Sequence, residues 1–120
     1  MTASGTLDQA SAIVSGALPV RVHSARAAAW VARSALEEVL QALVLARGCD
    51  PGGASARTLL GCIEVLYQDV DPTVPGRAQY AWDALSRASH HHAYELAPTV
   101  GEVEGLIETV RGLAELVATD

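Results

Sequence analysis

Apolar residues in this chain recur three and four positions apart and seldom alternate with polar ones. Val103, Leu106, Ile107, Val110, Leu113 and Val117 make one such stripe, and Leu36, Val39, Leu40 and Leu43 make another. That period is the face of an α-helix, whereas a half-buried strand would need alternation. Composition points the same way. Half of the 120 residues are hydrophobic, Phe is absent, and Val and Ile are scattered rather than gathered in alternating runs. Ala and Leu pack readily as helices and are poor material for a sheet.

Breaks in the pattern divide the chain. Residues 1–5 read as a frayed terminus, and a short helix is expected from about Leu7 to Leu18, stopped by Pro19. Ser24 reads as the N-cap of a second helix that Gly48 ends. After CDPGGAS, Ser55 can cap a third helix with Leu59, Ile63 and Leu66 on one face and Leu60 and Tyr67 beside it. Asp71, Pro72, Pro75 and Gly76 are expected to be loop, and a fourth helix should run from about Arg77 to Leu96, before Pro98. Thr99 and Glu102 have capping-box spacing ahead of the last stripe. The expected architecture is all-α: a four- to five-helix up-and-down bundle in one domain over residues 1–120, with its core between about 24 and 117. There is no internal repeat.

Charge narrows the function classes. The net charge is −6, with eight Arg and no Lys. The absence of Lys reads as codon bias of a GC-rich genome. An acidic chain cannot present the broad basic face that neutralises many phosphates, so no DNA partner is expected and any RNA contact must be local. Cys49 and Cys62 are too few for a disulfide framework. The first twenty residues carry Asp8 and no early basic cluster, unlike a signal peptide. The most apolar stretch, Ala27 to Ala46, is interrupted by Arg33, Glu37 and Glu38, unlike a membrane span. A cytoplasmic protein is expected.

One run stands apart from the Ala-rich scaffold: Arg87-Ala-Ser-His-His-His-Ala-Tyr94. It holds a guanidinium, three imidazoles and a phenol. On a straight helix, at about 100° per residue, Trp82, Leu85, Ser89, His92 and Leu96 would form a core stripe. Arg87, His91 and Tyr94 would form a second stripe, with Tyr80 upstream on the same line and His90 between the two. Imidazole can take or give a proton near neutral pH. A guanidinium fork suits a phosphate. Cleavage of RNA by its own 2′-hydroxyl needs a proton acceptor and stabilisation of charge on phosphorus, without a required metal.

Arg87 is followed after four residues by His92, and then by Ala93 and Tyr94. This run resembles the motif of the HEPN superfamily of small helical bundles: Arg, four to six residues, His. Its extended form, with any residue and then Tyr, marks HEPN toxins paired with a minimal nucleotidyltransferase antitoxin. The chain resembles a small actinobacterial branch of that superfamily from about Ser24 to Val117. The resemblance implies a metal-independent endoribonuclease, a toxin or stress and defence factor that acts as a homodimer on RNA. Arg87 and His92 of both subunits would meet at the interface, and Tyr94 would be the residue that the antitoxin modifies with AMP. No cofactor is implied. A straight helix, however, puts Arg87 beside His91 and turns His92 about 140° away. Either both His line a broad interface cleft, or the helix is bent there, or His91 is the working residue.

Plainer roles stand beside these. His92, among Trp82, Leu85 and Leu96, could be a hydrogen-bonded core or interface residue. Adjacent His residues point in different directions on a helix and cannot chelate together, so no metal site is expected. Tyr80 and Tyr94 suit an amphipathic interface, and Trp30 and Trp82 suit core or dimer packing. Glu37 and Glu38 read as a solvated pair, although either could orient a motif side chain. The glycines from Gly48 to Gly53 form a turn rather than a phosphate loop, because no Lys follows and no strand precedes them. The rival to the enzyme is a non-catalytic HEPN module that binds a nucleotidyltransferase or another defence partner through the same face.

Overall fold

Each apolar stripe folds as a helix in the computed structural model, which describes residues 3–14, 24–90 and 98–118. The five helices are α1 (Ala3–Val14), α2 (Ser24–Ala46), α3 (Ala56–Tyr67), α4 (Thr73–Ser89) and α5 (Val100–Ala118). The described residues contain no strand. The protein is an all-α bundle.

Local chemistry explains most boundaries. Gly48, at φ +78°, ends α2 with a left-handed turn. Its amide donates to the Leu45 carbonyl (2.9 Å) and the Cys49 amide to the Val44 carbonyl (3.2 Å), the paired bonds of a Schellman stop. The Ser55 hydroxyl accepts the Thr58 amide at 3.3 Å and caps α3. The Thr99 hydroxyl accepts the Glu102 amide at 3.1 Å and caps α5.

Two helices begin earlier than the sequence suggests. α1 starts at Ala3, so the expected fray over residues 1–5 is already helical at Ala3, Ser4 and Gly5. Ala3 packs on the core, and that contact holds the first turn. α4 starts at Thr73 and takes in Pro75 and Gly76, expected to be loop. Asp71 organises this start: its carboxylate accepts the Thr73 amide (3.0 Å) and hydroxyl (2.6 Å). Both bonds, with the side-chain one the stronger, hold the Asp71 carboxyl below its ordinary pKa. Val74, fully buried, anchors the turn. Pro75 is harmless because a first-turn amide has no helical acceptor.

Helices α1, α2, α4 and α5 alternate in direction. The start of α2 meets the end of α4, where Arg26 reaches the Ala88 carbonyl at 3.4 Å. Seven residues on, Arg33 lies 4.5 Å from the centroid of the Trp82 ring. Arg111 of α5 pairs with Asp8 of α1 at 3.0 Å. Helix α3 lies outside this four-helix ring and, among the described helices, touches only α2 and α4. Its C-terminal Tyr67 donates a hydroxyl bond to the Leu43 carbonyl near the C-terminus of α2 (2.6 Å), so α3 runs in the same sense as α2.

The core fills the ring. Leu7, Leu36, Leu40, Leu43, Leu85, Ile107 and Leu113 are fully buried. Buried Ala28, Ala29, Ala32 and Ala35 on α2, with Ala78 and Ala81 on α4, keep the facing surfaces small. Cys49 and Cys62 are free thiols, each half-buried. Among the described residues no helix is long and apolar enough to cross a membrane.

Candidate functional site

Helix α4 carries polar groups on two flanks, and the structure separates them. One flank faces α5 across a groove of about 520 Å³, lined by Tyr80, Ala84, Arg87 and Ala88 of α4, Pro98, and Glu102 and Leu106 of α5. Two of the residues singled out in the sequence, Tyr80 and Arg87, therefore share one wall. They stand seven residues apart with Ala84 between them, and this small side chain leaves the groove open. Tyr80 is 59% exposed. Arg87 is exposed, and no carboxylate among the described residues pairs with it. Glu102 enters the same groove from the first turn of α5, where a carboxylate suits the positive end of the helix. The groove thus offers a cation, a carboxylate and a phenol around a partly apolar floor.

The other flank faces α2. Arg26 Nη1 donates to the carbonyls of Ala88 and His90. Arg33 stacks on the half-buried Trp82. Three buried side-chain atoms, Arg26 Nε, Arg33 Nε and Ser86 Oγ, have no hydrogen-bond partner among the described residues. The two arginines lie along the seam between α2 and α4. Trp30, between the two arginines on α2, is 60% exposed and so is not a core residue. Glu37 and Glu38 are exposed.

The expected single helix from Arg87 through Tyr94 is not what forms. α4 ends at Ser89, and His90 adopts extended backbone at φ −90°, ψ 143°. The stripe of Tyr80, Arg87, His91 and Tyr94 assumed an unbroken helix, so it cannot be drawn past Ser89. The core stripe holds as far as it can be followed: Leu85 is fully buried, and Trp82 and Ser89 are half-buried. His91, His92, Tyr94 and Leu96 lie outside the described residues.

Sequence reasoning missed three participants. Glu102 registered only as a capping residue, and Pro98 only as a stop. Arg26 carried no local signal at all, because its role comes from α4, more than sixty residues along the chain. Among the described residues no three His, Cys, Asp or Glu side chains gather as metal ligands would.

No family model matches the chain, and comparison with curated proteins and with solved structures found no match either.

Proposed function

We propose that this protein is a HEPN-type endoribonuclease that cuts RNA without a metal. The observation that carries the reading is Arg87: an exposed guanidinium, unneutralised among the described residues, on the wall of an open groove at the head of a run of three His. A fork of donors in that position suits a phosphodiester. His92 serves as general base to the 2′-hydroxyl and then, protonated, as general acid to the departing 5′-oxygen. The products are a 2′,3′-cyclic phosphate and a 5′-hydroxyl. The end of α4 at Ser89 also removes the helical-wheel objection to His92, which depended on a straight helix through Tyr94. His91 orients His92 or substitutes for it.

A homodimer doubles this sparse set of groups, with Tyr80 in the contact and Tyr94 as the residue that a nucleotidyltransferase antitoxin modifies. The chain then acts in the cytoplasm as a toxin or stress and defence factor.

A second reading has its own support. The charge of −6, with the exposed Trp30 and Tyr80, suits a non-catalytic module that binds a nucleotidyltransferase or other defence protein.

The test is cleavage of a defined RNA by purified protein in chelator, beside Arg87→Ala, His92→Gln and His91→Gln. Loss of cleavage in the first two, with a 2′,3′-cyclic phosphate from the wild type, supports the enzyme. Full activity in His92→Gln with loss in His91→Gln moves the base to His91. Cleavage unchanged in all three variants, or none from the wild type, leaves the binding module.

A further inference from the structure

On α2, Arg26, Trp30 and Arg33 stand at i, i+4 and i+7, so they share one side of the helix. The indole lies between the two guanidiniums and is 60% exposed. Both arginines are half-buried, and both are held by neutral groups. Arg33 lies 4.5 Å from the centroid of the Trp82 ring, and Arg26 lies 3.4 Å from the Ala88 carbonyl. These contacts order the side chains without cancelling their charge. Among the described residues neither arginine has an ion pair. The cationic stripe is short. Glu37, one turn past Arg33, ends it, and the groove beyond Trp82 carries Glu64 and Asp83 beside Arg57. In a chain of net charge −6, two uncancelled cations around an exposed Trp form a local surface for a polyanion.

A single-stranded nucleic acid fits that surface. Any unpaired base has a face to stack on an indole, and guanidinium forks suit the phosphates on either side. Seven residues at 1.5 Å each separate Arg26 from Arg33 by about 10.5 Å along the axis. A stacked strand advances about 3.4 Å per phosphate, so the two cations meet phosphates about three nucleotides apart, with a base between them over Trp30. A duplex keeps its base faces covered and cannot use the indole. The stripe also begins at the right end of the bundle, since Arg26 reaches Ala88, the neighbour of Arg87. We propose that Arg26, Trp30 and Arg33 form a docking platform for single-stranded RNA: Trp30 stacks a base, and the two arginines hold phosphates. The purpose of the platform rests on the ribonuclease reading, whereas the binding itself does not.

The experiment is fluorescence anisotropy with a labelled single-stranded RNA octamer. Every 2′-hydroxyl is methylated, so the strand has no nucleophile of its own. Wild-type protein should bind this octamer more tightly than an RNA duplex of the same length. Trp30→Ala should weaken binding about tenfold, and Trp30→Phe, which keeps an aromatic face, should recover part of the loss. Arg26→Gln and Arg33→Gln should each reduce the slope of log Kd against log salt by about 0.7, the share of one phosphate on a single strand. Arg57→Gln, beside the carboxylates of the α3–α4 groove, is the control and should bind as wild type does. Thermal melting checks that each variant is folded. Trp30 is exposed, so its variants keep the test decisive if an arginine variant does not fold.

Unchanged affinity in Trp30→Ala would overturn the platform and leave Trp30 to a protein partner. A duplex bound as tightly as the single strand, or no binding by wild type, would also overturn it. Cleavage of the unmethylated octamer is measured alongside. A wild type that binds the methylated octamer through Trp30 but cuts nothing would refute the ribonuclease reading and leave the platform standing. A wild type that cuts RNA while its binding ignores Trp30 would do the reverse.

Discussion

Removing one oxygen from Tyr67 tests how the bundle satisfies the end of its longest helix. The last four carbonyls of α2, from Leu43 to Ala46, have no amide partners within the helix. Val44 and Leu45 accept from the turn that follows, and Leu43 accepts the Tyr67 hydroxyl at 2.6 Å. Tyr67 is only 6% exposed, so water cannot readily replace that hydroxyl. Tyr67→Phe keeps the ring and its packing but strands a buried carbonyl. Such a loss costs about 1–3 kcal/mol; about 2 kcal/mol is expected here. Unfolding entropy of about 2.1 cal/mol/K per residue, over 120 residues, turns this into a fall in Tm of about 8 °C. Ser86→Ala supplies the matched control, because the Ser86 hydroxyl is buried without a partner among the described residues. Deleting it relieves an unmet group and improves helix propensity, so stability should rise by about 0.5–1 kcal/mol. Urea denaturation and calorimetry read both variants. A loss below about 0.5 kcal/mol in Tyr67→Phe, or equal losses in both variants, would refute the claim that the Leu43 carbonyl depends on Tyr67.

Other outcomes are expected. Arg87→Ala should abolish RNA cleavage yet change stability by no more than about 0.5 kcal/mol, because the side chain is exposed and without a carboxylate partner among the described residues; gel assays and thermal melts check this together. Gly48→Ala should cost about 1 kcal/mol by urea denaturation, since Gly48 sits at φ +78°, although a Cβ there would meet nothing within 4 Å. Asp71 titrates lower in the folded protein than in the unfolded chain, first through the Thr73 hydroxyl and then through its amide. Its stabilising effect is therefore present above the unfolded pKa and lost as pH falls through the folded one. Asp71→Asn should narrow the difference in Tm between neutral and strongly acidic pH, and an unchanged difference would remove Asp71 from the acid response.

The sequence by itself determined that the apolar stripes are helical and which face each stripe buries. Leu59 and Ile63, or Val103, Ile107 and Val110, could bury only one side at a helical repeat, and they do so. Ser55 and Thr99 likewise acted as caps within three residues of themselves. These are local effects, because a helix bonds each residue to the one four positions away and a cap to the first turn. Tertiary structure decided the rest. Packing of Ala3 on the core extended α1 to its third residue, and α3 took the direction of α2 when Tyr67 reached Leu43. The groove beside Arg87 exists because α5 brings Glu102 and Leu106 to it, which the motif alone could not reveal. The end of α4 shows the division most directly. Arg26, 62 residues from Ala88 in sequence, reaches the Ala88 carbonyl there, a contact that only the packing of α2 on α4 can make.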